Sequence, residues 1–133
     1  SWGAAMNEDL SILYVDDEAD IRMIVEMALQ LRPGITVRTA VSGDAAIEML
    51  QGDGWRPDLL MIDVMMPGLT GPELLERLRA DPETAELPII FVTARARPQD
   101  IQAYIAQGAL GVITKPFDPM SLADQVIELF RAA

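Results

Sequence analysis

The sequence contains no cysteine and no histidine. Without cysteine there is no disulfide framework and no thiolate metal site. Without histidine the commonest general base and the commonest transition-metal ligand are both missing. Any metal site must be built from oxygen, which favours magnesium, calcium or manganese. Positive charge is scarce too. Lys115 is the single lysine, every other basic side chain is arginine, and the formal net charge is −11. A chain this acidic is not expected to hold nucleic acid or an anionic membrane directly. No apolar run approaches membrane-spanning length and no signal peptide is visible, so the expected location is the cytoplasm.

What is present suffices for one domain. The chain has 133 residues, and half are hydrophobic. Ser1-Trp2-Gly3-Ala4-Ala5 before Met6 reads as an expression remnant. Residues 1–8 are therefore set aside, as a remnant or a disordered N-terminus, and the domain is expected over 9–133.

The stretch Leu59-Leu60-Met61-Ile62-Asp63-Val64-Met65-Met66-Pro67 organises the rest. Its apolar run, bounded by Pro57-Asp58 and Pro67-Gly68, reads as a strand buried on both faces and ending at Asp63. Leu10 to Val15 reads as a first strand ending in Asp16-Asp17-Glu18. Ile21, Ile24, Val25, Ala28 and Leu29 recur at helical spacing after it, up to Arg32-Pro33-Gly34. Ile35 to Ala40 alternates and reads as a less buried strand. Ser42-Gly43-Asp44 starts a helix with Ala46, Ile47 and Leu50 inward, and Gly52-Asp53-Gly54 closes it.

After the central strand, Pro72 suits a first helical turn, with Leu74, Leu75 and Leu78 on the buried side. Asp81-Pro82 ends that helix. Ile89 to Val92 is a strand running into Thr93-Ala94, and Arg95 to Pro98 leads into a fourth helix with Ile101, Tyr104 and Ile105. Val112-Ile113-Thr114 is a fifth strand, meeting Lys115-Pro116. Asp118-Pro119 is read as a cap and first-turn proline for a last helix faced by Leu122, Val126, Leu129 and Phe130. Five strands alternating with five helices predict a flavodoxin-like (βα)5 fold, a doubly wound parallel sheet in the order 2-1-3-4-5.

In that order the ends of strands one, three, four and five are neighbours. Asp16, Asp17, Asp63, Thr93 and Lys115 should converge. Alone, each has a bland reading: an Asp-Asp after a strand starts a helix, Asp63 caps a turn, a Lys-Pro pair is a surface turn. Together they make coherent chemistry. Clustered carboxylates repel unless a cation joins them, and magnesium binds through few carboxylates while keeping waters. A lysine is a point charge suited to a phosphoryl oxygen. An aspartate is a competent nucleophile toward phosphorus.

These residues resemble the receiver domain of two-component response regulators, of the chemotaxis-regulator type. The matching pieces are Asp16-Asp17, Asp63 with Met66-Pro67-Gly68 and Gly71, Thr93-Ala94, and Lys115-Pro116-Phe117, over about residues 9 to 133. The resemblance implies that Asp63 accepts a phosphoryl group from a sensor histidine kinase or a histidine phosphotransfer protein. It implies magnesium, or manganese, bound by Asp17, Asp63 and the Met65 carbonyl, with Asp16 acting mostly through water. Thr93 and the Ala94 amide would bind phosphoryl oxygens, Lys115 would pair with them, and the Lys115–Pro116 peptide would be cis. Met65 and Arg95 occupy positions that tune phosphoryl loss. The surface around the fourth helix, fifth strand and fifth helix would switch binding of an output protein or domain. One position departs: where such domains carry Tyr or Phe, three residues before the lysine, this chain has Val112. The expected route of the switch is then the loop Arg95 to Pro98 and the start of the fourth helix.

Three other readings compete. A dehalogenase-like aspartyl phosphatase needs a second acid two residues after the nucleophile, and that place is Met65. A flavodoxin-like cofactor binder needs a Ser/Thr/Gly-rich phosphate loop after strand one, where Asp16-Asp17-Glu18 would repel the anion. A degenerate receiver acting only as an interaction module would be expected to lack acceptor-site residues. The reading carried forward is a phosphoacceptor domain that is not itself a stand-alone enzyme.

Overall fold

The structure is a computed structural model that describes residues 9–52 and 54–133. The expected remnant at 1–8 and Asp53 of the Gly52-Asp53-Gly54 stop lie outside the described residues. The strands are β1 (Leu10–Val15), β2 (Ile35–Ala40), β3 (Leu59–Asp63), β4 (Ile89–Thr93) and β5 (Gly111–Thr114). The helices are α1 (Ala19–Leu29), α2 (Gly43–Gln51), α3 (Gly71–Ala80), α4 (Pro98–Ala106) and α5 (Leu122–Arg131). All pairings are parallel and the order is β2-β1-β3-β4-β5. No helix among the described residues is long and apolar enough to cross a membrane.

The sheet separates two cores, and strand alternation decides which residue enters which. Leu10, Ile12 and Tyr14 of β1, Met61 of β3 and Ile113 of β5 face Val25 and Leu29 of α1 and Leu122 and Val126 of α5. Leu13, Val15, Leu60, Ile62 and Phe91 face Leu50 of α2, Leu74 and Leu78 of α3, and Tyr104 of α4. β3 and β4 are buried at every position, which is why both read as unbroken apolar runs. Each large apolar side chain buried there contributes roughly 1.5–3 kcal/mol.

Local chemistry sets the boundaries. Ser42 caps α2 by accepting from the Ala45 amide. Thr70 and Glu73 form a reciprocal capping box on α3, with Pro72 in its first turn. One expectation needs correction, and two apolar helix positions stand outside the buried stripes: Ile24 is 41% exposed and Ile105 49% exposed. Ile24 instead lines an apolar groove with Pro116, Phe117 and Pro119. Asp118-Pro119 does not open the last helix. The Asp118 side chain accepts from the Met120 amide and its carbonyl from the Ser121 amide, closing a turn, and α5 begins at Leu122. A short Asp side chain serves a turn as readily as a cap.

Candidate functional site

The register carries the strand-end residues to one edge. Val15 lies opposite Ile62, Asp63 opposite Val92, and Thr93 opposite Thr114. Asp16, Asp63, Thr93 and Lys115 thus stand in a row at the carboxyl ends of four adjacent strands. In open parallel sheets this is the edge where ligands bind. Alternation adds a side. Tyr14 and Asp16, Met61 and Asp63, and Ile113 and Lys115 are each two apart, so the three charged groups continue the α1/α5 side of the sheet.

Both aspartates on this row are buried. Asp16 is 0% exposed and Asp63 4%. Charges so placed need partners, and they have them. Lys115 Nζ donates to Asp16 Oδ2 at 3.3 Å and to Asp63 Oδ1 at 3.2 Å. The Glu18 amide donates to Asp16 Oδ1 at 2.9 Å, and the Tyr14 hydroxyl to Oδ2 at 2.5 Å. Arg22 donates to the Asp16 carbonyl at 2.8 Å. Among the described residues, no buried side-chain polar atom lacks a partner.

The electrostatics follow from this crowding. Burial pushes the Asp63 carboxyl up; Lys115 opposes that and Asp16 reinforces it, and the group ends above the ordinary aspartate value. Burial alone would pull the Lys115 ammonium down, but Asp16 and Asp63 outweigh it and hold it above the ordinary lysine value. Burial and the hydrogen bond to Asp16 push the Tyr14 phenol far above its usual value, so it remains a donor.

Asp16, Asp17 and Asp63 each offer a carboxylate oxygen, all within 4.8 Å of one another. Oxygens sharing a cation at about 2.0–2.6 Å lie no more than about 4–5 Å apart. The set is all oxygen, and the exposed Asp17 opens it to solvent. These residues fit a hard divalent cation that retains waters. Lys115 alone supplies one positive charge against three carboxylates, which leaves room for a second cation.

The flanking loops are shaped around Asp63. Gly68 has φ +74°, a conformation that favours glycine. Gly71 has no room for a side chain: a Cβ there would lie 2.8 Å from the Asp63 carbonyl oxygen, 2.9 Å from Val64 Cα and 3.2 Å from the Phe91 ring. Met65 is 63% exposed beside Asp63. Thr93 is buried and its hydroxyl oxygen accepts from the Arg95 amide at 3.0 Å, while Ala94 is exposed. The Lys115–Pro116 peptide is cis. Val112 is half-buried, opposite Phe91 in the sheet, and Tyr104 of α4 meets Phe91 edge-on at 5.1 Å. Sequence reasoning missed Tyr14, Arg22 and the Glu18 amide as parts of the site. Only Tyr14 left a usable signal: it lies two residues before Asp16, on the same side of the strand.

Known proteins are similar to this chain. The family described as the response regulator receiver domain matches residues 12–127. The chain is 38% identical over 122 residues to the phosphate regulon transcriptional regulatory protein PhoB of Rhizobium meliloti, covering 92% of this chain and 52% of that protein. It is 33% identical over 128 residues to the chemotaxis protein CheY-3 of Vibrio cholerae, covering 96% and 97%. The solved structure of the Vibrio cholerae chemotaxis response regulator CheY4 is similar with a TM-score of 0.81 at 33% identity, covering 91% of this chain and 98% of that one. The chain therefore spans about half the length of the transcriptional regulators it matches and nearly all of the chemotaxis proteins.

Proposed function

The chain belongs to the response regulator receiver domain family, and we propose that within it Asp63 is the phosphoacceptor. One observation carries this assignment. Asp63 is the carboxylate at the end of the central strand that is buried, paired with the single lysine and grouped with two further carboxylates. The donor is a phosphohistidine on a sensor kinase or a histidine phosphotransfer protein. An Asp63 oxygen attacks phosphorus; the P–O bond forms as the P–N bond breaks, and the electron pair leaves on the imidazole nitrogen.

Each neighbour has a part in that transfer. Asp17, Asp63 and the Met65 carbonyl would hold a magnesium ion, or manganese in its place, with Asp16 contributing through water; when bound, the ion would supply neutralising charge to the transferring oxygens. Lys115 lies within hydrogen-bonding distance of Asp63 and supplies a compact positive charge to the incoming oxygens. Thr93 and the Ala94 amide complete the cradle. The Thr93 hydroxyl oxygen already accepts from Arg95, so its proton is free to be donated to a phosphoryl oxygen.

Phosphorylation adds about −1.5 to −2 charges at this edge. Thr93 moving toward the group draws the segment Ala94 to Pro98 with it and shifts the start of α4. Val112 is too short and too stiff to follow as a ring would, so α4 carries most of the change and β5 and α5 less. The altered surface is read by an output protein or domain. The domain serves as acceptor rather than as a stand-alone enzyme, and the exposed Met65 in place of a second acid argues against a phosphatase. We place this exchange in the cytoplasm.

Incubation with magnesium and a small acyl phosphate should add one phosphoryl mass to the intact protein, and Asp63→Asn should abolish it. Labelling that persists on another residue of the Asn variant overturns the assignment.

A further inference from the structure

Tyr14 is fully buried beside the acceptor site, and the transfer above makes no use of it. Its hydroxyl donates to Asp16 Oδ2 at 2.5 Å. The same oxygen accepts from Lys115 at 3.3 Å, and Asp16 Oδ1 accepts from the Glu18 amide at 2.9 Å. A carboxylate has about four lone-pair sites. With both sites on Oδ2 taken and one on Oδ1 taken, Asp16 has one direction left to offer a cation or its water. For Asp16 to bind through both oxygens, Oδ2 would have to shed a donor. If that donor were Tyr14, a buried hydroxyl would be stranded.

This restriction bears on which ion fits. Calcium takes about 6–8 oxygens, often with carboxylates bound through both oxygens, in loose geometry. Magnesium needs a tight octahedron and takes carboxylates through one oxygen. Resting on the reading of Asp16, Asp17 and Asp63 as the cation site, we propose that Tyr14 is a positioning residue that favours magnesium over calcium by leaving Asp16 one free acceptor direction, enough to hold a water of the ion but not to bind the ion through both oxygens. A tyrosine that merely filled the core would influence folding but not ion choice.

The test is calorimetric titration of magnesium and of calcium into the wild-type domain and Tyr14→Phe, with urea unfolding of both as a control. Phenylalanine keeps the ring, and Lys115 still reaches Oδ2. We expect magnesium affinity to fall about tenfold, the low end for loss of a hydrogen bond that orients a ligand. Calcium affinity should hold or rise, so the magnesium-to-calcium ratio falls. In an Asp16→Asn background the same substitution should leave the ratio unchanged. A ratio unmoved by Tyr14→Phe, or moved equally without the Asp16 carboxylate, overturns the proposal alone. Failure of the wild type to bind either ion overturns the cation-site reading and this proposal with it. An NMR measurement on the native protein covers the case in which the Phe variant does not fold. The Tyr14 hydroxyl proton should exchange slowly and remain visible at saturating magnesium. Its disappearance on adding magnesium would show that the pin is released, against the proposal.

Discussion

The carboxylate edge and α4 differ in how firmly this chain holds its parts. At the edge, Asp16, Asp63 and Thr93 are all at most 4% exposed. Among the described residues of α4, none is buried. It meets the sheet in the edge-on contact of Tyr104 with Phe91. Its C-terminal end is tethered by Arg79, which donates to the carbonyl of Gly108 at 3.3 Å and to that of Leu87 at 2.8 Å. Its N-terminal end carries only a local pair, Arg97 with Asp100 at 2.9 Å, on the exposed side. Exposed pairs of this kind are worth little. Elements with few buried contacts open and shift at low cost. The carboxylate edge is over-determined, whereas α4 is loosely docked and pinned at one end. The two are connected in space, since the ring of Phe91 touches the place where Gly71 passes the Asp63 carbonyl.

The widest gap between the regions should appear in side-chain truncation. Leu74→Ala, at a fully buried α3 position, should cost about 2–5 kcal/mol in urea unfolding. Ile101→Ala in α4 should cost well under half of that. Equal costs would erase the contrast. Gly71→Ala comes next. The added methyl group meets the Asp63 carbonyl and Val64 backbone, which do not give easily, and overpacking of this kind costs about 1–3 kcal/mol. The acyl phosphate labelling rate should fall along with stability. A variant that loses neither would show that the loop is softer than the contrast requires.

Asp63→Asn should move the other way. The folded pKa of Asp63 lies above its unfolded value. Its protonated form is thus favoured by folding. That contribution is complete below the unfolded value and is lost as pH rises through the folded one. At neutral pH the charged form is a cost, and the Asn variant should be more stable by about 1 kcal/mol. The gain should vanish on acidification; a gain independent of pH would point to another cause. For the same reason, labelling should begin to fail at a higher pH than an ordinary aspartate near 3.9 would require. A further effect is expected at Tyr104. Tyr104→Ala should cost about 0.5–1.5 kcal/mol for the lost aromatic pair, plus part of the ring's burial. Its clearer signature is amide exchange, faster across 98–106 with β3 unchanged. Faster exchange in β3 would mean that α4 is not a separate unit.

The architecture was legible because its signals are local. Apolar runs of strand length end at Asp63 and Thr93, helical spacing follows each, and proline, glycine or a capping Ser, Thr or Asp punctuates the junctions. Strand order then follows from crossover handedness, and with it the convergence of Asp16, Asp63, Thr93 and Lys115. Within elements the reading was weaker. Ile24 and Ile105 carry the apolar identity of inward positions yet point out, because helical spacing defines a stripe but not where a neighbouring element stops covering it.

What the sequence determined by itself was therefore the order of elements and the identity of the residues at the strand ends. Which atoms meet there was decided only when the sheet closed. Lys115 bridging Asp16 and Asp63 depends on distances set by β1, β3 and β5 lying in register. The closeness of Gly71 to the Asp63 carbonyl is likewise a product of the assembled loop. Hydrogen bonds and charge pairs act over a few ångströms. Partners up to 99 residues apart along the chain come within that range only through the packing of the whole sheet.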